Sequence, residues 1–195
     1  MNICVYGASS DAIDKVYIEA GEHLGEEIAR RGHTLVFGGG AGGLMGATAR
    51  GMARCDGKII GIAPSFFNAD GVLFDKCTEL IRTETMRERK QLLEDMSDAF
   101  IMSPGGIGTY EEFFEVLTLK QLHRHNKAIC ILNTNGYYTP METLLTETAK
   151  NGFMREASLK LYKICESVEE ILDYIEGYVP TEYDINDMKY LGRAN

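Results

Sequence analysis

Several features that identify common classes of protein are missing from this sequence. Its 195 residues carry 20 Lys and Arg against 29 Asp and Glu, which gives a net charge of −9. Nucleic acids and anionic membrane surfaces attract basic proteins, so neither is expected as a partner. No apolar run approaches the roughly 18 residues that span a membrane, and the amino terminus has no basic region followed by an apolar core. We therefore expect a cytoplasmic protein.

Cysteine and histidine are too few and too scattered to indicate a metal centre. The five cysteines form no Cys-x-x-Cys pair and no Cys/His cluster, which argues against a zinc site and against a disulfide framework. His123 and His125 have no further ligand nearby in the sequence, so no metal is expected there. The cysteines are predicted to be buried thiols: Cys4, Cys55, Cys77, Cys130 and Cys165.

The sequence also has no internal repeat, low-complexity segment or linker, and 45% of its residues are hydrophobic. Apolar β-like runs alternate with segments of helical periodicity, the last such run lying between Leu159 and Ile164. This alternation predicts an α/β fold: a doubly wound, mainly parallel Rossmann-like sheet with helices on both faces. We expect a single nucleotide-binding domain over residues 1–179 and a polar C-terminal tail over residues 180–195.

The stretch SPGGIGTYEE, from Ser103 to Glu112, links a predicted strand to a predicted helix. The apolar run before it is typical of a buried parallel strand, and apolar residues after it recur at helical spacing. Its three glycines remove the Cβ atoms that would hold a ligand away from the backbone. Together with the N-terminus of the helix, the loop amides offer a seat for a phosphate group.

Two interpretations of Glu112 follow from the spacing. In the first, Thr109 caps the helix and Glu112, three residues later, is the carboxylate of a capping box. In the second, Glu112 is an active-site carboxylate at the edge of a cleft. The spacing alone does not distinguish the two.

The run Pro104-Gly105-Gly106-Ile107-Gly108-Thr109-Tyr110-Glu111-Glu112 resembles the PGGxGTxxE motif of the LOG ("lonely guy") family. These proteins are nucleoside 5′-monophosphate phosphoribohydrolases named for cytokinin activation, formerly labelled possible lysine decarboxylases. A second family element, Met86-Arg87-Glu88-Arg89-Lys90, precedes the motif at the expected distance. The resemblance implies that Arg89 pairs with Glu112 and that both are catalytic. It also implies substrate contacts from Lys90, Gly105, Gly106, Ile107, Gly108, Thr109 and Thr118.

A second glycine-rich loop, from Gly38 to Gly46, follows the second predicted strand. It satisfies the pattern G-x-G-x-x-G, but it does not follow the first strand. No acidic residue ends the next strand to bind a ribose, so a dinucleotide site is not expected. We interpret the loop as a second mononucleotide cradle, similar to a glycine run of the family, with tight packing of helix on strand as the alternative. Its candidate contacts are Gly39, Gly40, Gly43 and Met45.

Other candidate contacts lie in two further loops. Ser9 follows the first predicted strand, where it either contacts a phosphate or caps the next helix. Three aromatic residues, Phe66, Phe67 and Phe74, lie in a loop beside the expected site. They either sandwich a base or anchor the loop in the core.

Together with these features, the resemblance implies hydrolysis of the N-glycosidic bond of a cytokinin or adenine-type nucleoside 5′-monophosphate, without a cofactor. Glu112 would stabilise an oxocarbenium-like sugar or activate water. A pyridoxal-phosphate decarboxylase fits less well, because Lys90, the lysine nearest the motifs, lies among arginines. A non-catalytic nucleotide or cofactor carrier of the same fold is the alternative. The helix after the motif is apolar on more than one face and the family is dimeric, so a homodimer is expected.

Overall fold

The computed structural model describes residues 1–67 and 71–180. Its centre is a sheet of seven parallel strands in the order β4-β3-β2-β1-β5-β6-β7. The strands are β1 (Asn2–Tyr6), β2 (Thr34–Phe37), β3 (Ile59–Pro64), β4 (Glu79–Thr83), β5 (Ala99–Met102), β6 (Ala128–Leu132) and β7 (Lys163–Cys165). The predicted doubly wound α/β architecture is confirmed. The tail expected over residues 180–195 lies outside the described residues, apart from Pro180.

Helices cover both faces of the sheet. They are α1 (Lys15–Arg30), α2 (Gly43–Arg54), α3 (Met86–Asp95), α4 (Ile107–Gln121), α5 (Thr139–Lys150) and α6 (Val168–Glu176). Successive strand residues point to opposite faces. In β1, Ile3 and Val5 pack with α1, α2 and α6, whereas Cys4 and Tyr6 pack with α3, α4 and α5. Among the described helices, none has the length and apolar character needed to cross a bilayer.

The strand order places the functional edge of the sheet. β1 lies between β2 and β5, so the chain winds outward in one direction from β1 to β4 and in the other from β5 to β7. In open parallel sheets, ligands bind where the winding direction reverses, outside the carboxyl ends of the strands. The loops after β1 and β5 therefore flank the crevice in which a ligand is expected.

Two expectations are wrong in detail. The run from Leu159 to Ile164 begins as part of a short 3₁₀ helix (Glu156–Lys160), and only Lys163–Cys165 pairs as a strand. Cys55 and Cys77 are partly exposed, whereas Cys4, Cys130 and Cys165 are buried as predicted. Both differences arise at the periphery of the fold. β7 is an edge strand, and Cys55 and Cys77 lie outside the sheet, where fewer residues pack over a side chain.

Candidate active site

The carboxyl ends of β1 and β2 open onto a cleft of about 740 Å³, a size that suits a small-molecule ligand. The loops after β1, β2 and β5 and one side of α3 contribute to its wall. Many residues that the sequence singled out line this cleft: Ser9, Gly40, Met45, Arg89, Gly106, Ile107, Gly108, Thr109 and Glu112.

The N-terminus of α4 begins earlier than the sequence suggested. Gly106 is the N-cap residue and no side chain caps the helix, so Thr109 is its third residue and Glu112 its sixth. The capping-box interpretation of Thr109 and Glu112 is therefore wrong. A Cβ atom added at Gly106 or Gly108 would meet nothing within 4 Å, because both positions face open space. The amides of the first turn have no intrahelical acceptor and are available to an anion in the cleft.

Arg89 and Glu112 form a buried ion pair in the wall of the cleft. Arg89 Nη1 donates to Glu112 Oε1 at 2.9 Å, and the two side chains are only 9% and 12% exposed. Arg89 Nε donates to Ile62 O at 3.2 Å. The guanidinium also lies against Gly38, where an added Cβ would collide with it. Contacts on three sides thus fix the arginine, and the arginine fixes one oxygen of the carboxylate.

The environment of Glu112 makes its proton hard to remove. Burial raises the pKa of this carboxyl above its usual value of 4.5, and the nearby guanidinium of Arg89 only partly opposes the shift. The folded protein thus binds the proton more tightly than the unfolded chain does. Ionisation of Glu112 therefore costs stability as the pH rises above 4.5 and through the raised pKa.

The raised pKa of Glu112 predicts how stability changes when this residue is replaced. Glu112→Gln has no proton to lose, so its free energy of unfolding relative to the wild type is expected to increase as the pH rises above 4.5 and through the raised pKa. Urea denaturation at several pH values measures the difference. Glu22→Gln is the matched control, because Arg54 lowers the pKa of Glu22. The control should show no such increase, and a decrease for Glu112→Gln would contradict the argument.

Two backbone amides of the second glycine loop donate hydrogen bonds to the loop after β1. Gly43 N–H donates to Asp11 Oδ1 at 2.7 Å, and Met45 N–H donates to Ala8 O at 3.0 Å. Gly43 has φ +59°, and a Cβ there would collide with Ala8 O. These contacts show tight packing of helix on strand at Gly43. Gly40 and Met45 of the same loop line the cleft, so the mononucleotide-cradle interpretation of the loop stays a prediction. Gly39, with φ +77°, turns the chain beside the cleft.

Among the described residues, three that were assigned by resemblance are not part of the cleft lining: Lys90, Gly105 and Thr118. Lys90 Nζ pairs with Glu115 Oε2 at 2.8 Å and also contacts Glu111. Thr118 is exposed on α4, more than one turn beyond Glu112. Gly105 lies behind the lining, packed against the Thr109 side chain. The structure therefore does not bring Lys90 or Thr118 to the Arg89–Glu112 pair.

The alternatives at Ser9 and at the aromatic loop are resolved in part. Asp14 caps α1, accepting from Val16 N–H at 3.0 Å, so the capping interpretation of Ser9 is wrong. Phe67 lines the cleft, whereas Phe74 is buried against Phe37. One aromatic residue of the loop is thus placed to contact a ligand and another serves as a core anchor.

Sequence reasoning missed the tyrosines that hold the loop after β5. Tyr137 Oη donates to Gly105 O and Tyr138 Oη donates to Ser103 O, each at 2.8 Å. A signal was present, because both tyrosines follow the turn after β6, at the sheet edge where neighbouring loops meet.

Comparisons with known proteins agree with this geometry. A family model described as "Possible lysine decarboxylase" matches residues 45–175. A cytokinin riboside 5′-monophosphate phosphoribohydrolase of Rhodococcoides fascians is 39% identical over 154 residues, which cover 78% of this chain and 78% of that protein. A protein of the same name from Arabidopsis thaliana is 32% identical over 182 residues, covering 93% and 85% respectively.

Solved structures extend the likeness to the fold. A molybdenum cofactor binding protein from Rippkaea orientalis superposes with a TM-score of 0.69 at 25% identity, over 90% of this chain and 94% of that one. The molybdenum cofactor carrier protein of Chlamydomonas reinhardtii superposes with a TM-score of 0.67 at 21% identity, over 90% and 95%, which shows the fold alone. On the sequence matches, the chain belongs to the LOG family, whose model is described as "Possible lysine decarboxylase".

Proposed function

We propose that this protein hydrolyses the N-glycosidic bond of adenine-type nucleoside 5′-monophosphates, cytokinin ribotides among them, to free base and ribose 5-phosphate. The observation that carries the proposal is the buried Arg89–Glu112 pair, which lines the same cleft as the N-terminus of α4. Glu112 lies five positions after Ile107, a rise of roughly 7–8 Å along the helix. A ribose 5-phosphate can span that distance. The names of the curated relatives support this reaction.

In this mechanism the phosphate binds to the first-turn amides of α4 and the sugar lies toward Glu112. As the bond to the base breaks, its electron pair leaves with the base and positive charge develops on the sugar. The Glu112 carboxylate stabilises that charge and accepts a proton from the attacking water, whose oxygen bonds to the anomeric carbon. The proton then passes to the departing base, which leaves in its neutral form, and Glu112 returns to the carboxylate. The raised pKa of Glu112 makes it a stronger base than an exposed glutamate, and no cofactor is needed.

Arg89 acts in this proposal as the residue that orients Glu112. Its Nε and one Nη1 donor are already bound to Ile62 O and Glu112 Oε1. A guanidinium carries five N–H donors, so others remain for the substrate phosphate or the departing base.

The two rival functions have less support. A Schiff-base enzyme needs a lysine that loses its proton readily, but the glutamates around Lys90 raise its pKa. Lys120 has its pKa lowered to about 8 by burial, but it donates to Lys127 O and Tyr178 Oη rather than lining the cleft. A cofactor carrier is suggested by the Rippkaea orientalis relative. A carrier has no need of the buried carboxylate–guanidinium pair.

The proposed reaction is tested by incubating the protein with a panel of nucleoside 5′-monophosphates and separating the products by chromatography. Purine monophosphates, with cytokinin ribotides favoured, are expected to yield free base and ribose 5-phosphate. If pyrimidine monophosphates are cleaved best, the base preference is wrong. If no base is released from any of them, the carrier function gains support.

The proposal includes a homodimer. On the described surface, large apolar side chains are exposed at Phe114 on α4, at Leu144 on α5 and at Phe153 just after α5, the last two being 61% and 85% exposed. Such a surface suits contact with a second copy. Light scattering at micromolar concentration is expected to give the mass of a dimer or a larger even assembly. A monomer at that concentration would contradict this part of the proposal.

The remaining parts of the proposal concern partners and location. We place the protein in the cytoplasm as one nucleotide-binding domain over residues 1–179, with neither nucleic acid nor membrane as a partner. The net charge of −9 supports the absence of those two partners, because it disfavours binding to both of those surfaces.

A further inference from the structure

The loop between β5 and α4 has three successive carbonyl groups tied to other parts of the protein. Each accepts a hydrogen bond from a donor outside the loop, and two of the three donors are tyrosine hydroxyls. The bonds run from Tyr138 Oη to Ser103 O at 2.8 Å, from Ala8 N to Pro104 O at 3.0 Å and from Tyr137 Oη to Gly105 O at 2.8 Å. The carbonyl oxygens of this turn are therefore held away from any ligand of the loop.

This arrangement sets the direction of the next amide. In a trans peptide the C=O and the following N–H point in opposite directions, and the described chain contains no cis bond. The bond from Tyr137 to Gly105 O therefore turns Gly106 N–H away from the tyrosine. Gly106 lines the cleft. A carbonyl oxygen in that place would repel a phosphate, whereas an N–H attracts it.

The two tyrosines have further contacts of their own, Tyr138 being fully buried and Tyr137 being 37% exposed. Asn133 Oδ1 accepts from Tyr138 N–H at 2.7 Å, and the Tyr138 side chain is fully buried. The rings of Tyr137 and Tyr138 pack edge to face with centroids 4.9 Å apart, a favourable aromatic geometry. Asn135 and Gly136 have positive φ values of 55° and 69°, which turn the chain sharply after β6 and bring the rings back over the end of β5.

We propose that Tyr137 and Tyr138 are positioning residues that aim the amides of the loop after β5 at the phosphate of the substrate. Among the described residues, neither tyrosine belongs to the cleft lining. They act through the backbone of the loop rather than by touching the ligand. This inference rests on the proposed function, since it assigns the loop to the phosphate group of the nucleotide.

The test is the binding of the two expected products to the wild type and to Tyr137→Phe, measured by calorimetry. The variant loses one hydroxyl and keeps the ring. The Kd for ribose 5-phosphate is expected to rise about tenfold, and the Kd for adenine, which has no phosphate, to change less than about twofold. In turnover, the KM for AMP should rise while kcat stays nearly constant. Adding Tyr138→Phe should raise the ribose 5-phosphate Kd further.

Tyr178→Phe is the matched control, because it also removes a hydrogen-bonded hydroxyl, one that contacts Lys120 and Asn126 far from the loop. Its Kd values should match those of the wild type. Unchanged binding of ribose 5-phosphate by Tyr137→Phe would overturn the positioning role and leave the proposed function intact. Equal weakening of both products would also overturn it, because that pattern indicates general loosening of the cleft. A wild type that binds neither product would overturn the proposed function and the positioning role together.

Discussion

Replacement of Glu112 by glutamine is expected to slow the release of free base from AMP by about 10²-fold or more, roughly 3 kcal/mol in barrier height. The amide keeps the size of the side chain and can still accept a hydrogen bond from Arg89. It loses the negative charge that stabilises the oxocarbenium-like sugar, and it loses the basicity that activates water. Because Glu112 is the sixth residue of α4 and caps nothing, a loss of rate has no explanation in helix capping.

The control for this experiment is Glu22→Gln. Glu22 is another partly buried glutamate that pairs with arginines, at 2.8 Å from Arg54 and 3.4 Å from Arg50, and it lies away from the cleft. The same chemical change there should leave the rate within about twofold of the wild type, the expectation for a residue that makes no contact in the transition state. Thermal unfolding of both variants checks that each is folded.

Arg89→Ala extends the test to the other half of the pair. If Arg89 and Glu112 work as one unit, this variant should be about as inactive as Glu112→Gln, and the double variant should lose little more. Near-normal release of base by a well-folded Glu112→Gln protein would remove Glu112 from the catalytic role. Additive losses in the double variant would instead indicate two separate functions for the residues.

The second large effect concerns the phosphate. Adenosine is expected to be hydrolysed with a kcat/KM at least about 10²-fold below that of AMP, because the charge-assisted bonds from the first turn of α4 are each worth about 1.5–3 kcal/mol. At the N-terminus of α2 the Gly43 amide is already bound to Asp11 Oδ1, so the first turn of α4 is expected to supply most of this effect. Comparable turnover of AMP and adenosine would contradict phosphate binding at the first turn of α4.

Substitution of Ile107 tests phosphate binding at the first turn of α4 directly. It is the first residue of α4, it lines the cleft, and its side chain is 87% exposed, so substitution disturbs little packing. Ile107→Asp places a negative charge beside the expected phosphate and should raise the KM for AMP sharply. The same charge at a helix N-terminus should stabilise α4 slightly. Ile107→Asn matches the shape without the charge and should have a much smaller effect on KM.

Much of the fold could be predicted from local signals. The apolar runs that became β1, β2, β3, β5 and β6 are strongly β-like, and helical periodicity marks the segments between them. The parallel pairing then follows, because strands that alternate with helices are joined by crossovers. At the edge of the sheet, a strand was predicted from Leu159 to Ile164, but the observed strand is Lys163–Cys165. The residues before it form a 3₁₀ helix.

The site was predictable only in its motif residues. The resemblance of Met86-Arg87-Glu88-Arg89-Lys90 and of the glycine loop to the family motifs singles out Arg89 and Glu112, and the structure brings these two side chains together at 2.9 Å. The same motif includes Lys90, whose side chain turns to Glu111 and Glu115 instead. Residues that are neighbours in the sequence of a helix point in different directions, so motif membership does not by itself place a side chain in the cleft.

The sequence by itself determined the order of strands and helices, the family, and the glycine loop that precedes α4. Only the tertiary structure decided which backbone groups of the two glycine loops are already hydrogen-bonded. Asp11 Oδ1 accepts from Gly43 N–H in one loop, and Tyr137 Oη donates to Gly105 O in the other, each across 32 residues of chain. The physical reason is that a loop sequence sets what its backbone can adopt, whereas the availability of each N–H depends on partners that the fold brings from elsewhere.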